Sequence, residues 1–119
     1  MRLPLSLALL FALSASAEPP EKRVARLWSS KCSACHGIDG KGQTETGRKY
    51  QLPDFTTAAW QAKRTDDFIR NRVTNGLIDE LDGGVKREMP SFRDELKPEH
   101  LDAIIALIRK LGAAAPTQP

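Results

Sequence analysis

Cys32-Ser33-Ala34-Cys35-His36 places two thiols and an imidazole within one short run. Such a set can do three kinds of chemistry: a dithiol can cycle through a disulfide, thiolates and imidazole can ligate zinc, or both thiols can add to haem vinyl groups while the imidazole reaches the iron. Residues three and four apart share a helix face, so Cys32, Cys35 and His36 address one object. The Cys-x-x-Cys-His spacing is that of c-type haem attachment. A thioredoxin-type dithiol opens a helix in a βαβ context, whereas this motif closes a helical stretch in a chain with no evident strands. Structural zinc needs four ligands, and the only other histidine, His100, stands alone on another helix.

A haem iron in a carrier is usually closed on its second side by Met or His. Beyond Met1, the sequence offers only Met89 and His100. Met89 lies in a segment expected to be irregular and is followed by Pro90, whose fixed φ stiffens the approach. It is the favoured distal ligand. The plainer roles are a flexible core filler for Met89 and a solvated surface position for His100.

The elements that must position these groups are few. The chain has 119 residues, a formal charge of +3, 40% hydrophobic and 6% aromatic residues. That length holds one small domain and excludes a large multi-domain enzyme. A thin core in a small chain calls for a staple, and covalent haem would supply one. The charge is too small and dispersed to indicate nucleic-acid binding. Met1-Arg2, the apolar run Leu3–Leu13 and Ala15-Ser16-Ala17 read as a secretory signal over residues 1–17. Its apolar stretch falls short of the ~20 residues that span a bilayer, so no stable membrane insertion of the mature chain is expected. One domain is expected over 18–112 and a frayed tail over 113–119.

Helical periodicity runs from Glu21 to about Ala34 through Val24, Leu27 and Trp28. Residues 37–53 read as a glycine-rich loop. Thr56 or Thr57 can cap a short turn through Trp60, and Thr65 caps a helix buried through Phe68, Ile69 and Val73 that ends at Gly76. Residues 77–92 read as irregular. A last helix from Pro98 buries Leu101, Ile104, Ile105, Ile108 and Leu111 and stops at Gly112. The expected fold class is all-α, with three to five short helices and loops.

With Asp39-Gly40-Lys41-Gly42 after the attachment motif, Pro53-Asp54-Phe55-Thr56 in the middle, Met89-Pro90-Ser91-Phe92 and the helix 98–111, the chain resembles the class I monohaem c-type cytochromes of bacterial periplasms. The resemblance implies helices and loops wrapped around one covalent haem c, with first and last helices crossing. It also implies a proline carbonyl accepting from the proximal imidazole, for which Pro53 is the nearest match, and Tyr50, Trp60 and Arg64 near the haem propionates. Two departures stand out: Leu107 replaces a common aromatic, and the segment 77–88 is long. The implied activity is periplasmic one-electron transfer without catalysis, through transient contact with a redox donor and acceptor. Lys31, Lys41, Lys49, Lys86 and Arg87 are candidates for a docking rim. The alternatives are a haem enzyme or gas sensor with an open or labile distal position, and an electron-transfer subunit fixed in a dehydrogenase or oxidase complex.

Overall fold

A computed structural model describes residues 16–113 together with 12 and 14. Most of the expected signal (1–17) and of the tail (113–119) lies outside the described residues. Helix α1 (Pro20–Lys31) opens with proline at its first position, where the missing N–H costs nothing. The stretch expected to continue to Ala34 breaks at Cys32, whose φ of −120° lies off the helical value. A separate turn, α2 (Ser33–His36), carries the rest of the motif.

The expected loop 37–53 contains a further helix, α3 (Glu45–Lys49), one turn long. It forms because the Thr44 hydroxyl accepts from the Gly47 N–H at 2.8 Å. Thr57 and Thr65 start α4 (Ala58–Lys63) and α5 (Asp66–Asn75) in the same way, and Gly76 ends α5.

Residues 77–89 are not irregular. They form an antiparallel hairpin of β1 (Leu77–Leu81) and β2 (Val85–Met89), with Leu77 opposite Met89 and Leu81 opposite Val85. Leu77, Asp79, Leu81, Val85, Arg87 and Met89 share the half-buried face, while Ile78, Glu80, Lys86 and Glu88 face solvent. An ion pair, Asp79 with Arg87, occupies the inward side, and an apolar residue, Ile78, stands 82% exposed on the outer side. That inversion hides the period-two pattern. Among the described residues the fold is therefore mostly helical with one small two-stranded sheet rather than purely all-α.

Helix α6 (Pro98–Ala113) packs against α1, α4 and α5. Gly112 does not stop it. A Cβ there would stand 2.4 Å from Gln61 Cγ, so this glycine serves close packing onto α4. Gln61 in turn donates to the carbonyls of Phe55 and Ile108, at 2.8 and 2.9 Å, and joins α4 to α6. The buried hydrophobic set is small: Trp28, Phe55, Ile69, Val73, Phe92, Ile104, Ile105 and Ile108. Every one of these except Ile105 also lines a single cavity, so the core is a shell rather than a filled interior.

Candidate cofactor site

The cavity holds about 390 Å³, within the range of about 300–1,000 Å³ usual for small-molecule and cofactor sites. Cys32, Cys35, His36, Tyr50, Pro53, Trp60, Arg64 and Met89, the residues singled out in the sequence, all stand in its wall. His100 does not.

The attachment motif is fixed by its neighbours. Trp28, four residues before Cys32, donates its indole N–H to the Gly37 carbonyl at 3.0 Å in a buried bond, which closes α2 onto α1. The Thr44 hydroxyl donates to the Cys35 carbonyl at 2.6 Å, and the Gly42 N–H donates to the His36 carbonyl at 2.8 Å. A Cβ at Gly47 would meet the Gly42 carbonyl oxygen at 2.1 Å, so α3 packs against the motif through a glycine that cannot be replaced without movement. We expect Thr44→Val, which removes both hydroxyl bonds, to lower stability by about 1–3 kcal/mol in denaturant unfolding, with haem still attached.

The His36 ring stacks on Phe55 with centroids 4.9 Å apart, and Phe55 meets Trp60 at 4.4 Å. Burial pushes the imidazole pKa down to about 4, so the ring is neutral, the form in which a nitrogen lone pair can reach a metal. Its Nδ1 is buried without a hydrogen-bond partner, and Pro53 contributes wall rather than an acceptor. With Nδ1 enclosed by protein, Nε2 is the ring nitrogen left to a group in the cavity. Cys32 and Cys35 are free, half-buried thiols, and burial pushes that of Cys32 up to about 11. Among the described residues, no cluster of three His, Cys, Asp or Glu side chains is placed to hold a bare metal ion. The apolar wall, paired thiols and neutral imidazole fit haem c.

Beside Arg64, the wall contains two arginines that the sequence did not single out for the site, Arg72 and Arg87. Arg64 and Arg72 both lie over the Phe68 ring, 4.4 and 5.2 Å from its centroid, and neither forms an ion pair among the described residues. Arg87, expected on a docking rim, is instead half-buried in the wall. It donates Nη2 to Asp79 at 2.8 Å and Nη1 to the Tyr50 carbonyl at 3.2 Å. The Arg87 guanidinium, hydrogen-bonded to Asp79, holds that carboxyl below the usual carboxylate range. Of the other rim candidates, Lys31 pairs with Glu95 at 3.1 Å, Lys49 lies over the Tyr50 ring, and Lys41 and Lys86 are exposed. The i, i+4 relation of Phe68 to Arg72 was the available signal for Arg72, whereas Arg87 needed the hairpin to be known.

Residues 19–108 match the family described as cytochrome c oxidase, cbb3-type, subunit III. The chain belongs to that family. It is accordingly a monohaem cytochrome c domain, and its cofactor is covalently bound haem c with iron. This cbb3-type cytochrome domain is 31% identical over 94 residues to the cbb3-type cytochrome c oxidase subunit FixP of Azorhizobium caulinodans, covering 79% of this chain and 28% of the relative. It is 28% identical over 88 residues to FixP of a Bradyrhizobium species, covering 74% and 26% respectively. The chain thus spans about a quarter of the length of these curated relatives. Among solved structures it resembles the KustC0563 c-type cytochrome, with 30% identity, a TM-score of 0.58 and coverage of 73% of this chain and 94% of that one. A point mutant of that cytochrome gives 27% identity, the same TM-score and coverage of 74% and 96%. Membership carries electron transfer by a c-type haem as the domain's activity. Among the described residues, no helix is long and apolar enough to cross a membrane.

Proposed function

We propose that this cytochrome domain is a periplasmic one-electron carrier, exported by residues 1–17, in which Cys32 and Cys35 form thioethers to haem and His36 and Met89 are the axial ligands. One observation carries the reading: a single apolar cavity gathers the attachment motif from α2 and Met89 from the end of β2. Haem c, when bound, supplies a ferric/ferrous couple. The residues supply the rest. The thioether of Met89 with the imidazole of His36 raises the potential, and both together leave no site for a substrate. Phe55, Trp60 and Ile104 keep water from the cavity and limit reorganisation between oxidation states. Arg64 and Arg72, two like charges over one phenyl ring, would offset the charge of the two propionates, and Tyr50 and Trp60 in the same wall are further candidates to meet them. Pro53 stands in the same cavity wall.

Purified ferric protein is expected to be low-spin and to show the weak near-infrared methionine-to-iron band. A high-spin spectrum without that band would instead support an open distal site, as in a haem enzyme or gas sensor. The FixP relatives, cbb3-type cytochrome c oxidase subunits, favour a second reading, an electron-transfer unit held in an oxidase complex. Co-purification with a cytochrome c oxidase from detergent-solubilised membranes would support that reading over free diffusion.

A further inference from the structure

We infer that the C-terminal end of α5, through Gly76, is the seat that positions Met89 against the haem. This rests on Met89 being the distal ligand. Helix α5 ends at Gly76 with φ +72° and ψ −166°, a backbone conformation essentially confined to glycine. The chain then runs out along the hairpin and returns to cross this same point. A Cβ on Gly76 would lie 2.4 Å from the Met89 carbonyl oxygen, 2.9 Å from the Pro90 carbonyl carbon and 2.9 Å from the Ser91 nitrogen. All three are backbone atoms, and a shift of backbone is what relieves such a collision.

The returning segment is bonded to the last turn of α5 as well. The Phe92 N–H donates to the Val73 carbonyl at 3.0 Å, and the Ser91 hydroxyl donates to the Thr74 carbonyl at 2.6 Å. Arg93 reaches Asn75 Oδ1. Four successive residues, Val73 to Asn75 and then Gly76, thus hold the stretch from Met89 to Arg93. By contrast, the space beside the glycines at the hairpin's far end is open. Gly83 and Gly84 also have positive φ, of 90° and 82°, yet a Cβ on either would meet nothing within 4 Å. Met89 is therefore placed by the end of α5 and not by the hairpin tip. Gly76 is a positioning residue: it touches the ligand's backbone and acts through it.

The difference between Gly76 and Gly83 supplies the test, because both substitutions put a side chain at positive φ and only one collides with the ligand segment. In the haem-loaded protein, Gly76→Ala is expected to lose or sharply weaken the ferric methionine-to-iron band, and to bind added imidazole about tenfold more tightly. Covalent haem and helical circular dichroism are expected to persist. Gly83→Ala should keep the band and the parent imidazole affinity. Should Gly76→Ala fail to fold, Ser91→Ala removes one tie without a collision and is expected to bind imidazole about threefold more tightly. A parent protein lacking the band would sink the Met89 assignment itself. If the parent shows the band and Gly76→Ala keeps both band and affinity, the seat is wrong, as it is if Ser91→Ala, used in its place, leaves affinity unchanged. Loss of the band in Gly83→Ala would assign the placement to the hairpin and overturn the inference equally.

Discussion

Changing both Cys32 and Cys35 to serine is expected to abolish covalent retention of haem, so that acidified organic solvent extracts the pigment completely from the variant and not from the parent. Staining for haem after denaturing electrophoresis reads the same loss. The effect on the fold should be as large. Seven of the eight buried hydrophobic residues line the cavity, so they pack on whatever fills it. At about 24 cal/mol per Å³ of residual void, a closed empty cavity of about 390 Å³ sets an upper limit near 9 kcal/mol. That limit is comparable with the whole stability of a small domain, about 5–15 kcal/mol. A variant that binds haem only reversibly is therefore expected to unfold at lower denaturant as haem is diluted away. Haem retained through solvent extraction after the double change would contradict thioether attachment.

Met89→Ala is expected to convert the ferric iron to a high-spin form that binds azide and imidazole, and to lower the reduction potential. The fall should be on the order of 0.1 V or more, within the roughly 0.8 V that axial ligation commands. The sign follows from chemistry: a thioether favours the ferrous state, and a water or hydroxide in its place does not. His100→Ala is the control, because His100 lies on α6 outside the cavity wall and neither spectrum nor potential should move. A potential unchanged by Met89→Ala, or a spectrum changed by His100→Ala, would reassign the ligand. The two variants also separate effects on the iron from effects on attachment, since each keeps Cys32 and Cys35.

Legibility followed the range of the interactions involved. Thr57 and Thr65 sit one residue ahead of the helices that they cap, and Gly76 ends α5, because capping is decided within a few residues of chain. Helix α3 was hidden for the opposite reason: its cap, Thr44, is itself held by the carbonyl of Cys35, nine residues away. The hairpin was hidden by the inward Asp79–Arg87 pair, which is half-buried only because Arg87 also reaches the Tyr50 carbonyl, 37 residues distant. Gly112 reads as a helix stop until Gln61 is seen against it. The place of Arg72 shows only once Phe68 and the cavity are seen beside it.

What the sequence determined by itself is the chemistry: two thiols and an imidazole at positions i, i+3 and i+4, a spacing that one turn of backbone converts into a common direction wherever the rest of the chain goes. Only the tertiary structure decided what stands around that chemistry. It brought Met89, Tyr50, Trp60 and Arg64 to the same cavity, left His100 outside it, and laid the Met89 segment across Gly76. Those outcomes depend on close packing between residues far apart in the chain. No local spacing encodes an approach that is set by the crossing of one backbone over another.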